Sequence, residues 1–439
     1  MKLGKYIYAL ILAVVVADAA AQQPITLKEC IERGLENNFS LRMVRNKEQM
    51  AKNDASWANA GLLPSLDLSA GYSGTLNSGA ATARDGSQSS YCNVNDNVLR
   101  AGIDLEWTIF DGFKAYASYD RLRELKLQSS TQTRIAVEDY IAAFTSEYYN
   151  YIQQRLRQEN LKYAVKLSRE RMRIVHERYI IGENSRLDLL QARVDFNADS
   201  AESVKQDELL ATSRIRLHEL MADRDVNTRF TIADSTIRID RTLNFDELWE
   251  ATQQNNAELI SASHDKRLAE IDLKSIRSRD YPYLRLNAGY GFTYNKFETG
   301  ANDVRKEWGA DFGVTLGYRL FDGTRGRERK NAKLSVINAE LQKQDLELSL
   351  YATLANLWQA YENNRRLLAL ERQNLIAARE NYDIAHERYL LGDLSGIEMR
   401  EAQKSLLDAE ERILVARYNT KLCEISLLQI SGGITKYME

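Results

Sequence analysis

Residues 176–192 read HERYIIGENSRLDLLQA, and residues 386–402 read HERYLLGDLSGIEMREA. In each copy a glycine, Gly182 or Gly392, ends a very long run. No other glycine occurs between Gly112 and Gly289, and none between Gly326 and Gly392. A lone glycine between two long apolar-periodic runs predicts the C′ stop of a helix. Ser185 and Ser395 then predict N-caps of a return helix, with Asp188 and Glu398 three residues on as capping-box partners. Each copy is therefore the tip of a helical hairpin, and the chain makes two.

The duplication extends outward from the tips. Asn37-Asn38 matches Asn255-Asn256 and Pro64 matches Pro282 at one common spacing. Phe110-Asp111-Gly112 matches Phe321-Asp322-Gly323 at a shorter one, so the first copy carries extra residues between Pro64 and Phe110. They fall in the Ser/Gly/Asn/Asp-rich stretch Ser78–Asn97, read as an exposed loop. The expected layout is a leader at 1–21, a first repeat at 22–222, a linker at 223–242, a second repeat at 243–432 and a C-terminal tail at 433–439. Each repeat should hold a helical segment with a short first piece (Leu27–Glu36; Phe245–Gln254) running to Leu63 or Tyr281. Two strands follow, then a long helix from near Asp111 or Asp322, and a return helix, Leu187–Met221 or Ile397–Ile430.

The strands alternate cleanly. Leu284, Leu286, Ala288, Tyr290 and Phe292 oppose Arg285, Asn287, Gly289 and Gly291, and Trp308, Ala310, Phe312 and Val314 oppose Gly309, Asp311 and Gly313. In the first repeat Leu99, Ala101, Ile103, Leu105 and Trp107 oppose Arg100, Gly102, Asp104 and Glu106, with a weaker partner over Leu66–Thr75. Eleven residues at ~3.3 Å rise reach about 36 Å, enough to cross a bilayer's apolar core at a tilt. A soluble sheet with one face on a core has the same alternation. If the sheet lies in lipid, four strands leave unsatisfied edges, because small barrels begin at about eight. The barrel must then be shared between chains.

The long helices carry a period of seven. Leu354, Tyr361, Leu368, Leu375, Tyr382 and Tyr389 recur along the second, and Phe144, Tyr151, Val165, Met172 and Tyr179 along the first. Such a repeat imposes left-handed supercoiling on partner helices, in a cylinder of helices or an ordinary two-helix coiled coil. From Asp322 to Leu391 such a helix would run about 105 Å.

Composition narrows the function. Lys2 and Lys5, the apolar run Ile7–Val16 and Ala19-Ala20-Ala21 read as a secretory signal cleaved before Gln22. A formal net charge of −3 suggests no nucleic-acid partner. Cys30, Cys92 and Cys423 match neither a disulfide framework nor a zinc site, which leaves one pair plus a free thiol open. The four histidines, His176, His218, His264 and His386, form no HExxH motif, and Gly323-Thr324-Arg325-Gly326 is no phosphate loop. No nucleophile–base pair stands out, so neither catalysis nor a cofactor or metal is expected. The tip acids Asp188, Glu398 and Glu401 have two readings: favourable placement at helix N-termini, or acidic rings around a symmetry axis that select cations and gate.

Taken together, Leu63-Pro64-Ser65-Leu66, the two Phe-Asp-Gly motifs and the paired tips resemble the TolC-family outer-membrane efflux proteins over nearly the whole mature chain. The resemblance implies an α+β membrane protein: a tandem-repeat protomer giving a homotrimer with a 12-stranded β-barrel continued by a 12-helix periplasmic α-barrel. It implies a passive outer-membrane exit duct with a long periplasmic extension, surrounded by outer-membrane lipid. The duct would work with a periplasmic adaptor (membrane fusion) protein and an inner-membrane efflux pump to export small molecules. It places the periplasmic gate at Glu398, Glu401, Tyr389 and Asp188. The adaptor-docking tips fall at Gly182, Ser185, Leu187, Gly392, Ser395 and Ile397. Leu394 departs from the pattern, since some relatives carry an arginine there that ties the closed state together. Asp67, Asp104, Glu106 and Asp311 are expected to face the barrel lumen. A duct for type I protein secretion shares this architecture, while a secreted coiled-coil scaffold and an envelope hydrolase are the readings from other classes.

Overall fold

The computed structural model describes residues 25–228, 232–240, 242–298 and 303–438. The leader expected at 1–21 lies outside them. The chain runs through helices α1 (Leu27–Asn37) and α2 (Phe39–Asp54), strands β1 (Ser65–Thr82) and β2 (Gln88–Phe110), the long helix α3 (Lys114–Ile180) and the return helix α4 (Arg186–Met221). The same order then recurs as α5 (Phe245–Asn255), α6 (Ala257–Arg277), β3 (Tyr283–Lys296), β4 (Val304–Gly317), α7 (Arg325–Leu391) and α8 (Gly396–Ile430). The chain divides into two compact units. One takes in the described residues of Met1–Asn46, Thr131–Ile260 and Asp345–Glu439, the other those of Lys47–Ser130 and Ser261–Gln344.

In the first unit the duplicated asparagines explain where the short helices stop. Asn38 leaves the helix at φ −60, ψ 122, and its side-chain oxygen accepts from the backbone N–H groups of Ser40 and Leu41, starting α2. Its amide meanwhile donates to the Leu220 carbonyl at the end of α4 (3.1 Å). Asn256 repeats both halves, accepting from Leu259 and donating to Ile430 at the end of α8 (2.9 Å). One residue thus satisfies orphan groups of two helices at once. The core beneath contains Ile31, Ile141, Phe144, Tyr148, Ile152, Leu217, Met221 and Ile425, each 0–1% exposed. The C-terminal turn Ile434–Met438 docks against it: Ile434 is fully buried, and Tyr437 donates to Glu424 (2.8 Å). Lys421 lies 4.9 Å from both the Tyr149 and Tyr437 ring centres while bonding Glu424 at 2.6 Å. A buried ammonium needs such partners. All three cysteines are free thiols.

The second unit holds a four-stranded antiparallel sheet in the order β1-β2-β3-β4. Its register stacks apolar residues across all four strands: Leu68, Ile103, Tyr290 and Ala310 in one row, Leu66, Leu105, Ala288 and Phe312 in the next. The loop expected over Ser78–Asn97 is a correction. The first hairpin continues through it, with a bulge after Asn77, and only residues 83–87 form the turn. Ladder bonding does not need apolar side chains, and a tight turn closes the end: Ala83 accepts from Gly86 and Asp85 from Ser87, with Gly86 at φ +85. The first helical segment also stops at Asp54, short of Leu63, because turns through Gly61 (φ +83) lead to Pro64. In the Phe-Asp-Gly motif before α3, Asp111 accepts from the Ala115 N–H, and a Cβ on Gly112 would lie 2.1 Å from the Ser278 carbonyl oxygen.

Candidate functional site at the paired tips

Both tips are built as their residue types dictate. Gly182 (φ +85) and Gly392 (φ +86) take the left-handed conformation after α3 and α7, and the next residues, Glu183 and Asp393, donate back to Arg178 and Arg388. Ser185 and Ser395 form complete capping boxes. Each hydroxyl accepts from the N–H of Asp188 or Glu398, whose carboxylate accepts from the serine N–H at 3.0 Å. Each box contributes about 1 kcal/mol to its helix start. The Ser395 hydroxyl and N–H hold the Glu398 carboxyl below its ordinary range.

Behind the tips the four helices share an apolar cluster that includes Val175, Ala192, Tyr382, Ala385, Tyr389 and Met399, and Leu394 packs against it. That contact accounts physically for an apolar residue at 394. His386 stacks on Tyr382 at 5.8 Å with an interplanar angle of 9°. The two hairpins are then tied by charge. Arg178 of α3 donates to the Tyr389 and Leu390 carbonyls at the end of α7 (2.9 and 3.1 Å), its guanidinium 5.1 Å from the Tyr389 ring centre. Arg400 of α8 grips Asp199 of α4 through two bonds of 2.8 and 2.7 Å. Arg171 bonds Asp195. Burial, together with the neighbouring Arg400, holds Arg171 below the usual arginine range against the pull of Asp195. Tyr389 is 2% exposed, and burial raises its phenol, opposed by Arg178 and Arg171. Two buried atoms in this region, Tyr389 Oη and Arg171 Nη1, have no hydrogen-bond partner among the described residues.

A cavity of about 350 Å³ opens between the starts of α4 and α8. Of the residues expected at the gate and tips, Leu187, Asp188, Ser395, Ile397 and Glu401 line it, beside Arg171 and Arg400. Tyr389 belongs to the apolar cluster, and the Glu398 carboxylate is turned back onto Ser395. Glycines 182 and 392 face open space, with nothing within 4 Å of an added Cβ. The network of Arg171, Asp195, Asp199 and Arg400 was missed at the level of sequence. A signal existed: laying one tip on the other sets these four opposite Asn381, Ser405, Ala409 and Leu190, so each breaks the repeat.

In the sheet, register places Asp67, Asp104 and Asp311 in one row across the strands, and Glu106 follows two residues along the same face. Gly289 completes that row, where a Cβ would come within 2.8 Å of Asp311 Oδ1 and 3.2 Å of Asp104 Oδ1. The glycine thus makes room for two carboxylates. Ser69 donates to Asp104 at 3.0 Å. The opposite face is apolar and bare, with Leu68 82% and Phe312 86% exposed.

A helical-hairpin duplication carrying a sheet with one bare apolar face and one acidic face defines a class, that of outer-membrane channel protomers. The family model described as outer membrane efflux protein matches residues 30–223 and again 248–433. The chain belongs to that family. It is similar to the outer membrane protein TolC of Vibrio cholerae, with 24% identity over 93% of this chain and 91% of that one. To the cation efflux system protein CusC of Escherichia coli K12 it is 22% identical over 93% and 86%. The fold matches the Campylobacter jejuni CmeC outer membrane channel with a TM-score of 0.77 at 18% identity, over 93% of this chain and 85% of that one. The protein is thus an outer-membrane exit duct for efflux, with its helical part in the periplasm.

Proposed function

We propose that three copies of this chain form a passive trimeric duct, each contributing four strands to a twelve-stranded barrel and four long helices to a periplasmic tunnel. The sheet carries this reading: among the described residues β1 and β4 each keep an unpaired edge and the apolar face is bare, while the acids share the other face. Such edges are satisfied in lipid only by closure with further copies. Asp67, Asp104, Glu106 and Asp311 then line the lumen.

The tips form the periplasmic mouth in this reading. Asp188, Glu398 and Glu401 give acidic rings at the constriction, and Tyr389 belongs to the gating network. Its buried, unpartnered hydroxyl supports this, since such a group is costly unless a second arrangement satisfies it. The exposed Leu187 and Ile397 with the open glycine turns offer the docking surface for a periplasmic adaptor, which links the duct to an inner-membrane pump. No catalytic step is proposed. His218, for example, is held by Asp223 and the Thr228 carbonyl at 2.8 Å each, which occupies both ring nitrogens.

Membrane fractionation tests the assembly. The protein should sediment with the outer membrane and run as an oligomer that heating converts to monomer. Recovery as a soluble periplasmic monomer would overturn the reading.

A further inference from the structure

The helical unit holds a second cavity, of about 810 Å³, where linker residues 236–239 meet α7 and α8. That is the size of a small-molecule site. Its walls carry five guanidinium groups, those of Arg238, Arg365, Arg366, Arg372 and Arg417, against one carboxylate, Glu362. Arg365 is engaged: it donates to Glu362 at 2.8 Å and lies over the Tyr361 ring. None of the other four is ion-paired with a described residue. Other arginines on the same two helices do find acids, Arg412 with Glu371, Arg379 with Glu410 and Arg400 with Asp199. Burial and the nearby Arg372 hold Arg417 below the ordinary arginine range, as uncompensated like charges would. The four unpaired groups come from three segments, so the fold converges them on one space.

Guanidinium groups present flat, paired donors that match phosphoryl and carboxyl oxygens. We propose that this cleft binds a small multivalent anion, one bearing two or more phosphoryl or carboxyl groups. The anion is shared between Arg238 on the linker, Arg366 and Arg372 on α7 and Arg417 on α8. It therefore fastens the linker to both helices of the second hairpin, a junction that the described residues otherwise secure near Asp240, where Tyr361 donates to its carbonyl and Lys436 to its carboxylate.

Calorimetric titration of the full-length detergent-solubilised oligomer tests this, with inorganic pyrophosphate and citrate as separate probes at constant ionic strength. Saturable binding of either is expected, and the two arms separate phosphoryl from carboxyl preference. Arg372→Gln and Arg366→Gln should each weaken affinity tenfold or more, because a charge-assisted hydrogen bond is worth about 1.5–3 kcal/mol and ~1.4 kcal/mol is tenfold. Arg412→Gln, which breaks a pair outside the cleft, should leave affinity unchanged. Both cleft arginines replaced are solvent-exposed, and elution as the native oligomer checks that each variant is folded. Absence of saturable binding by both probes overturns the proposal, as does equal weakening by Arg412→Gln and Arg372→Gln.

Discussion

Replacing Asp199 by Asn removes the charge that Arg400 grips across the two return helices. The two side chains are 26% and 12% exposed, so the pair stands between a surface and a buried one. Removing one partner of a buried pair costs about 3–5 kcal/mol, whereas exposed pairs contribute about 0–1. Asp195, 4.0 Å from Arg400 Nε, remains to take up part of the released charge. We therefore expect about 2 kcal/mol, or roughly 30-fold, on the equilibrium for parting α4 from α8 at the tips. Hydrogen exchange of the amides over residues 399–402 reads this directly, since protection falls by the same factor as the opening equilibrium rises. Arg400→Gln should show a similar loss, and the double variant should be no worse than the worse single one, because the two changes remove one interaction. Unaltered protection in Asp199→Asn, or additive losses in the double variant, would refute the reasoning.

Leucine at Gly182 and at Gly392 should each cost about 1–2 kcal/mol from the left-handed backbone alone, because the added Cβ meets nothing. Oligomer assembly on gels should survive while adaptor-dependent export is lost, and export persisting in both variants would remove the docking role of the tips. Glu398→Gln keeps a capping-box acceptor but loses the charge. Combined with Glu401→Gln it should raise single-channel conductance in planar bilayers if these acids constrict the mouth, and unchanged conductance would leave Glu398 as a helix cap only. The pH dependence has a definite sign: the folded Glu398 pKa lies below 4.5, so its capping contribution is complete above that pH and is lost as pH falls through the lowered value. Protection factors of the amides over residues 398–400, with the intrinsic base catalysis of exchange divided out, should stay level from pH 8 to 5 and fall only in stronger acid. Protection that already falls near neutrality would contradict the assignment.

The parts of this protein legible in the sequence are those written in local chemistry. Gly182 and Gly392 stop helices because only glycine enters the left-handed region cheaply, and Ser185 and Ser395 start the next ones with their own hydroxyls. The period of two over Leu99–Ile109, Leu284–Tyr294 and Trp308–Leu316 announced strands because one face of each stretch is apolar. The far half of the first hairpin was hidden for the converse reason: its side chains are polar on both faces, while its ladder is made by backbone alone. The charged ties between the hairpins were hidden because Arg400 and Asp199 are distant in sequence, and each looks like an ordinary solvated residue on its own helix. The gate acids illustrate a third case. Spacing put Glu398 and Glu401 on one helix face, but the cap drew one carboxylate away and left the other facing the cavity.

The asparagine joints carry a consequence for what mutation can reach. Asn38 and Asn256 each need an acceptor toward the helix that follows and a donor toward the carbonyl of a helix that ends beside it. Aspartate would keep the first bond and aim a second oxygen at a carbonyl, and serine is too short to span both. Spontaneous hydrolysis of either amide is therefore a lesion that leaves shape nearly intact while turning an attraction into a repulsion. A chain built twice has this chemical weak point twice, at the same place in each half.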